Sequence, residues 1–316
     1  MRRHLSAGLV ALVASLIGGS AWAEPAAADL PVVYNAISGA AGIVAPDSSP
    51  PGSNDWNCTP SAAHPYPVVL VHGTIANMRL NWSTLSPLLK NNGFCVFAFN
   101  YGANVVTNLS AGIVHALGPV ADSAGELSAF VDHVLSATHA SKVDVVGHSQ
   151  GGMMPNYYIK FLGGEAKVHT MVGLAPDNHG TDVDGLLQLA NAITQAFPGL
   201  GNFAYAIVGA LAPGASDQKF DSPFIQKLTS RPDTVPNVKY TVIATRYDQV
   251  VTPVASQFLS GGDVTNVYVQ DKCSLDHADH VALAFDHIAL REVLNALDPA
   301  HASETECTPV VPFFGG

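Results

Sequence analysis

The sequence predicts an α/β fold, a mostly parallel central sheet flanked by helices and interrupted by a helical insertion. Three observations carry this. Six short apolar runs punctuate the chain, helical patterns lie between most of them, and the pentapeptide Gly147-His148-Ser149-Gln150-Gly151 sits where one run meets a helical stretch. The runs are Val68 to Val71, Phe94 to Phe99, Val143 to Val146, Val168 to Leu174, Tyr240 to Ala244 and Val264 to Val269. They are apolar almost throughout, as strands buried on both faces are. Strands alternating with helices imply parallel pairing through right-handed crossovers, which gathers functional loops at the strand C-terminal ends.

The helices are read from periodicity. Asn81 to Lys90 places Trp82, Leu85, Leu88 and Leu89 on one side, with Gly93 beyond as a stop. Ser123 and Glu126 have the spacing of a capping box, followed by Leu127, Phe130, Val131, Val134 and Leu135 at helical intervals. A further helix is expected from Ser149, with Pro155 kinking it beyond the first turn because proline removes one helical hydrogen bond. The last is expected from about Val281 to Leu297.

Between His179 and Pro236 the rhythm breaks. From Gly185 to Ser216 no residue is formally charged. Leu186, Leu189, Ala190, Ile193 and Phe197 share one helical face, as do Phe203, Ala206, Ile207, Ala210 and Leu211, with Pro198 and Gly199 between them. Two ordinary core helices would fit. A cap or lid over an apolar substrate pocket, spanning 179–236, fits slightly better.

The N-terminus reads as a secretory signal peptide over residues 1–23. Arg2, Arg3 and His4 precede an apolar run from Leu5 to Ile17, and the small residues Ala21 and Ala23 suit cleavage before Glu24. The run is too short for a stable membrane span. Residues 24–63, rich in Ala, Pro, Gly and Ser, are expected to form an irregular arm, and 64–316 the folded domain. Export implies an extracellular destination, or a periplasmic one in a host with an outer membrane. The formal charge of −11 becomes more negative when the leader and its arginines are removed, which disfavours nucleic acid and anionic membrane surfaces as partners. Charged residues are only 12% of the chain, well below the roughly 25% usual for soluble domains, and this points toward apolar partners.

Four cysteines in an exported chain should pair, and four allow three connectivities. Proximity along the chain favours Cys58 with Cys95 and Cys273 with Cys307. A redox or metal role would ask for closer spacing.

The pentapeptide carries the chemistry. Gly-x-Ser-x-Gly between strand and helix forces the serine into a strained turn in which side chains at the flanking positions would meet backbone. A serine hydroxyl needs a neutral histidine to take its proton and an acid to orient that histidine. Both should follow on loops after later strands. Asp248, just past the Tyr240 to Ala244 run, is the expected acid, with Asp177 one strand earlier as the alternative. His280, immediately before the last helix, is the expected base, with His277 as the alternative and His287 as a surface or core residue. For the oxyanion, the backbone N–H of Gln150 should serve with that of Thr74, whose hydroxyl is a possible extra donor. His72 precedes the serine and belongs to the oxyanion loop rather than acting as base.

Taken together, Val69-Leu70-Val71-His72-Gly73-Thr74, Asn81-Trp82, Phe97 to Gly102, Gly147 to Gly152, Thr245-Arg246-Tyr247-Asp248 and Asp279-His280 resemble secreted bacterial lipases of the α/β-hydrolase superfamily, most closely the actinobacterial-type class 2 triacylglycerol lipases. The resemblance implies Ser149 as nucleophile, Asp248 as acid, His280 as base, Thr74 with Gln150 at the oxyanion hole, and disulfides Cys58–Cys95 and Cys273–Cys307. It implies no cofactor and no metal, since nothing resembles a calcium-binding loop. The expected substrate is a lipid or other ester at an interface. A polyester hydrolase or acyltransferase would use the same triad, and a non-catalytic binding protein of this fold would usually lack a triad member.

Overall fold

A computed structural model of the chain describes residues 28–196 and 213–316. The expected leader and the second apolar helix of the insertion, Phe203 to Leu211, lie outside the described residues, as do Phe197, Pro198 and Gly199.

Six strands form one sheet: β1 Val68–Val71, β2 Val96–Ala98, β3 Val143–His148, β4 Val168–Leu174, β5 Lys239–Ala244 and β6 Val264–Tyr268, in the order β2-β1-β3-β4-β5-β6. Every pairing is parallel. The helices of five residues or more among the described residues are α1 Leu85–Asn91, α2 Val105–Leu109, α3 Val120–Thr138, α4 Gln150–Phe161, α5 Val183–Ala196, α6 Pro213–Asp217, α7 Pro223–Leu228 and α8 His287–Leu297.

Successive side chains of a strand point to opposite faces, and both faces are covered here. Val68, Leu70, Val146, Val172 and Ile243 pack with Trp82, Leu85 and Leu89 and with Ile288, Leu290 and Val293 of α8. Val69, Val71, Val145, Met171 and Val242 pack with Leu127, Val131 and Val134 of α3 and Met153, Met154 and Tyr158 of α4. This double burial is why the strands read as apolar runs rather than as alternations.

Several element boundaries differ from expectation. Ser123 and Glu126 do not cap a helix: α3 already starts at Val120, the Ser123 hydroxyl donates to the Pro119 carbonyl, and Glu126 accepts from the Gly102 N–H. The stretch Asn81 to Lys90 is split into a turn, Met78–Asn81, and α1. The turn starts early because Asn77 caps it through the Leu80 N–H. The last helix is likewise two pieces. A 3₁₀ turn at Ala282–Phe285 ends at extended Asp286, whose side chain then caps α8 by accepting from the Ile288 N–H. Pro155 falls inside α4, which continues to Phe161. The arm before Val68 is not wholly irregular. It carries helical turns at Ala36–Ala40 and Ala41–Val44, and Ser53 bridges Val96 to cover the edge of β2.

Disulfides join Cys58 to Cys95 and Cys273 to Cys307. The first ties the N-terminal arm to the start of β2. The second ties the C-terminal segment to the loop after β6.

The turn from β3 into α4 brings backbone very close to backbone. A methyl group on Gly147 would lie 1.7 Å from the Gly151 carbonyl oxygen, and one on Gly151 would lie 2.1 Å from the Val71 carbonyl oxygen. Neither neighbour is a side chain that could turn away. Gly147→Ala and Gly151→Ala should therefore yield little folded protein. Gly125→Ala, at an exposed position of α3 with no atom within 4 Å, should instead raise stability by about 0.5–1 kcal/mol. Chemical denaturation of the three variants checks both directions.

Candidate active site

Ser149 follows β3 and precedes α4 with φ 55° and ψ −126°, a left-handed backbone that a non-glycine residue seldom adopts. The conformation is held from both sides. The Ser149 N–H donates to the Leu174 carbonyl of the neighbouring strand, and the Ser149 carbonyl accepts from the N–H groups of Gly152 and Met153.

Ser149 and His280 line the same cavity. Its remaining wall is mostly apolar, with Ile75, Ala76, Leu80, Val281, Ala284 and Phe285 from the core and Leu189 from α5 of the insertion. The expected insertion thus contributes to the cavity through a described residue. Leu186, Ala190 and Ile193 of the same expected face have side chains outside the described set.

His280 is fully buried, and its Nδ1 lies 2.9 Å from Asp248 Oδ2. A carboxylate only accepts, so Nδ1 carries the proton and Nε2 presents its lone pair. No described group bonds to that buried Nε2. Asp248 sits in the turn after β5 and is saturated by donors. Oδ1 accepts the N–H groups of Val250 and Val251, both at 2.8 Å, and Oδ2 accepts Gln257 Nε2 at 2.9 Å besides the histidine. Burial by itself pulls the His280 pKa down. The Asp248 charge and hydrogen bond, helped by Asp279 and Asp177, outweigh it and hold the pKa above its ordinary 6.5.

The loops that carry Asp248 and His280 are also tied to one another. The Thr245 hydroxyl donates to the Ala278 carbonyl at 2.6 Å, and Gln249 Nε2 donates to Asp279 Oδ2 at 2.9 Å. Asp279 Oδ1 accepts from the N–H of Ala282 and from that of Phe313 in the C-terminal segment.

On the opposite side of Ser149 lies the loop after β1. Tyr101 donates from its hydroxyl to the His72 carbonyl at 2.6 Å and its ring stacks on the His72 ring. The Gly73 N–H donates to Asn81 Oδ1 at 3.0 Å, and Ile75, at φ 65°, donates its N–H to the His115 carbonyl. The loop is thereby turned so that Gly73 and Thr74 line the cavity beside Ser149. A methyl group on Gly73 would stand 3.2 Å from Ser149 Cβ, a tight approach beside the serine. The Thr74 hydroxyl is bonded to Gln150 Nε2 at 3.1 Å and to the side-chain amide of Gln218.

The alternative residues fall elsewhere. Asp177 is buried, but neither carboxyl oxygen bonds to His280; burial raises its pKa to about 7. His277 is exposed and packs on the Tyr247 ring. His287 starts α8 and bonds to the Gly316 carbonyl. His72 is buried with its Nδ1 against the Gly73 carbonyl, and burial lowers its pKa to about 3.

Sequence reasoning missed three contributors. Gln257 reaches Asp248 from nine residues downstream. Asn81 orients Gly73. His148, the first variable residue of the pentapeptide, donates from Nε2 to the His280 carbonyl at 2.9 Å and so fixes the His280 loop to the turn at Ser149; burial lowers its pKa to about 3, keeping it neutral. Its position inside the motif was the one available signal. Gln257 acts through a contact that no local pattern announces, and the Asn81-Trp82 pair of the resemblance marked Asn81 without its contact to Gly73.

A family model described as lipase (class 2) matches residues 65–290. A triacylglycerol lipase from Pseudarthrobacter phenanthrenivorans is 40% identical over 102 residues, 30% of this chain and 28% of that relative, so the match spans little more than a quarter of its length. Among solved structures, Aspergillus fumigatus lipase B superposes with a TM-score of 0.59 at 19% identity, covering 82% of this chain and 57% of that one. Mature Bacillus licheniformis lipase BlEst2 gives 0.53 at 17% identity, covering 75% and 94%. At these identities the two structures speak for the fold, which is that of the α/β-hydrolases. The family match runs from just before β1 into α8 and takes in Thr74, Ser149, Gln150, Asp248 and His280, and the chain belongs to the class 2 lipase family.

Proposed function

We propose that this chain is an exported carboxylic-ester hydrolase that cleaves lipid esters, most simply a triacylglycerol lipase, through an acyl-Ser149 intermediate. The observation that carries the reading is the buried Asp248–His280 pair at 2.9 Å, with the free Nε2 of His280 in the cavity that Ser149 also lines.

The chemistry follows from the arrangement. Ser149 Oγ attacks the ester carbonyl carbon while His280 Nε2 takes its proton. Asp248 keeps Nδ1 protonated and stabilises the imidazolium that forms. The carbonyl oxygen becomes an oxyanion received by the N–H groups of Thr74 and Gln150. Among the described residues, no group accepts a hydrogen bond from either. His280 then returns the proton to the departing alcohol, leaving the acyl group on Ser149. Water, deprotonated by the same nitrogen, releases the acid and restores the serine. The apolar wall supports an acyl chain as the group the cavity holds. The two disulfides support an oxidising compartment and hence removal of residues 1–23. Among the described residues no helix is long and apolar enough to cross a membrane.

A fluorophosphonate probe should label wild-type protein at Ser149, by peptide mass, and should leave Ser149→Ala unlabelled; labelling elsewhere, or activity retained by the alanine variant, would sink the nucleophile assignment.

The pH dependence has a definite sign. His280 acts only when neutral and its pKa is raised, so kcat/KM should fall as pH drops through a value above 6.5. In Asp248→Asn the charge is gone and burial wins. Activity should drop by about ten-thousand-fold, and the acid limb of the residual rate should move to lower pH. A pH–rate profile of both proteins measures each effect.

Across a series of emulsified esters, rates should favour long over short acyl chains; a steep preference for acetate or butyrate esters contradicts the lipid half of the reading.

A further inference from the structure

The Thr74 hydroxyl is held between two side-chain amides, and one of them comes from the insertion. Gln150 Nε2 and Gln218 Nε2 each lie 3.1 Å from Thr74 Oγ1, and Gln218 Oε1 lies 3.2 Å from it. All three residues are buried. A hydroxyl oxygen has two acceptor sites and one O–H to give. Two amide N–H groups occupy both acceptor sites, so the hydroxyl is left only with its donor. In the resting site that donor has nothing better than the neutral amide oxygen of Gln218.

Gln218 is itself firmly placed. Its Nε2 also donates to the Gly214 carbonyl at 2.8 Å, and its carbonyl accepts from the Thr181 N–H at 2.9 Å. The segment around it is docked on the core. The Gly214 N–H donates to the Leu117 carbonyl at 3.0 Å, and Asp217 Oδ2 accepts the Val120 N–H at the start of α3 at 2.9 Å. A methyl group on Gly214 would stand 2.6 Å from the Gly118 carbonyl oxygen, so the approach is backbone to backbone.

We propose that Gln218 is a positioning residue that makes the Thr74 hydroxyl an obligate donor, so that a residue of the insertion, and not the core alone, completes the oxyanion hole with a third hydrogen bond. When the tetrahedral intermediate forms, the Thr74 O–H turns about its Cβ–Oγ bond from the neutral amide oxygen to the oxyanion. No covalent bond changes in this step. A charged acceptor outbids a neutral one, so the exchange is favoured only once charge has developed. The gain therefore belongs to the transition state and appears in kcat rather than KM. This inference rests on Ser149 being the nucleophile, as proposed above.

The test uses the full exported chain and a soluble chromogenic ester, with Gln218→Glu, Thr74→Val, Thr74→Ser and the double variant Thr74→Val/Gln218→Glu. Gln218→Glu loses the Nε2 donors to Thr74 and to Gly214 and its carboxylate captures the hydroxyl, so kcat should fall about 10- to 100-fold with KM little changed. Thr74→Val should lose a similar factor, Thr74→Ser should keep most of the rate, and the double variant should be no slower than Thr74→Val alone. A wild-type kcat in Gln218→Glu, or losses that multiply in the double variant, overturns the proposal. Should Gln218→Glu not fold, Gln218→Met removes the same N–H without adding charge, and the same comparison in the Thr74→Val background applies. Fluorophosphonate labelling of Ser149 in the wild type separates the two readings: no labelling refutes the nucleophile, whereas labelling with multiplying losses refutes only the role of Gln218.

Discussion

The contact on which the site depends is the approach of three backbone segments at the end of β1 and β3. The Gly147 and Gly151 main chains and the carbonyls of Val71 and His72 come closer than any Cβ would allow. That contact compels the chain leaving β3 to turn sharply, and the sharp turn puts Ser149 at φ 55°. Strain of this kind costs on the order of 1–3 kcal/mol and persists only where the surroundings over-determine it. Here they do. β3 is paired on both sides, to β1 through Val71–Gly147 and to β4 through His148–Leu174, and the apolar residues between these pairings are fully buried. The central position of β3 in the sheet is therefore the source of the serine's geometry, and the residue before the turn, His148, inherits a fixed direction toward the His280 carbonyl.

A second consequence concerns charge. His72, His148 and His280 are all buried near the serine, and burial opposes the charged form of each. Only His280 escapes. His72 finds a backbone carbonyl and His148 another carbonyl, and neither neighbour carries enough charge to offset lost hydration. His280 finds the Asp248 carboxylate, which four N–H groups hold in place. An ion pair out of water is favourable only when its remaining hydrogen-bonding capacity is filled, and the main-chain donors of Val250 and Val251 with the Gln257 amide fill it. One histidine of three is thus held above its ordinary pKa, while the other two serve as neutral hydrogen-bonding struts.

Much of this was legible in the sequence because it is written in local pattern. Strands buried on both faces announce themselves as apolar runs, and β1 and β4 have the ends that their runs suggest. The order of Ser149 and Asp248, each just past a strand, and of His280, before the last helical pieces, is a one-dimensional record of loops that meet in three dimensions. What stayed hidden depends on contacts between distant segments. The spacing of Ser123 and Glu126 looks like a cap, but the true start of α3 is set by Pro119 and by Asp217 from the insertion, which takes the Val120 N–H. The break at Asp286 was invisible because the apolar period runs on across it. Asp286 ends one helical piece and caps the next.

The insertion shows how far composition can carry an argument. Its lack of charge between Gly185 and Ser216 suggested an apolar surface, and Leu189 of α5 does line the cavity with Ser149. Yet the residues of the insertion that bind it most specifically to the site are polar: Thr181, whose hydroxyl donates to the Val250 carbonyl two residues beyond Asp248, and Gln218, which meets Thr74. One contact lies on the Asp248 side of the serine and the other on the Thr74 side. Apolar burial is non-directional and can cover a pocket in many registers, whereas a hydroxyl or amide bonds in few. The apolar residues can shape what enters the cavity, and the two polar anchors fix where the insertion stands relative to the Asp248 turn and the Thr74 loop on either side of Ser149.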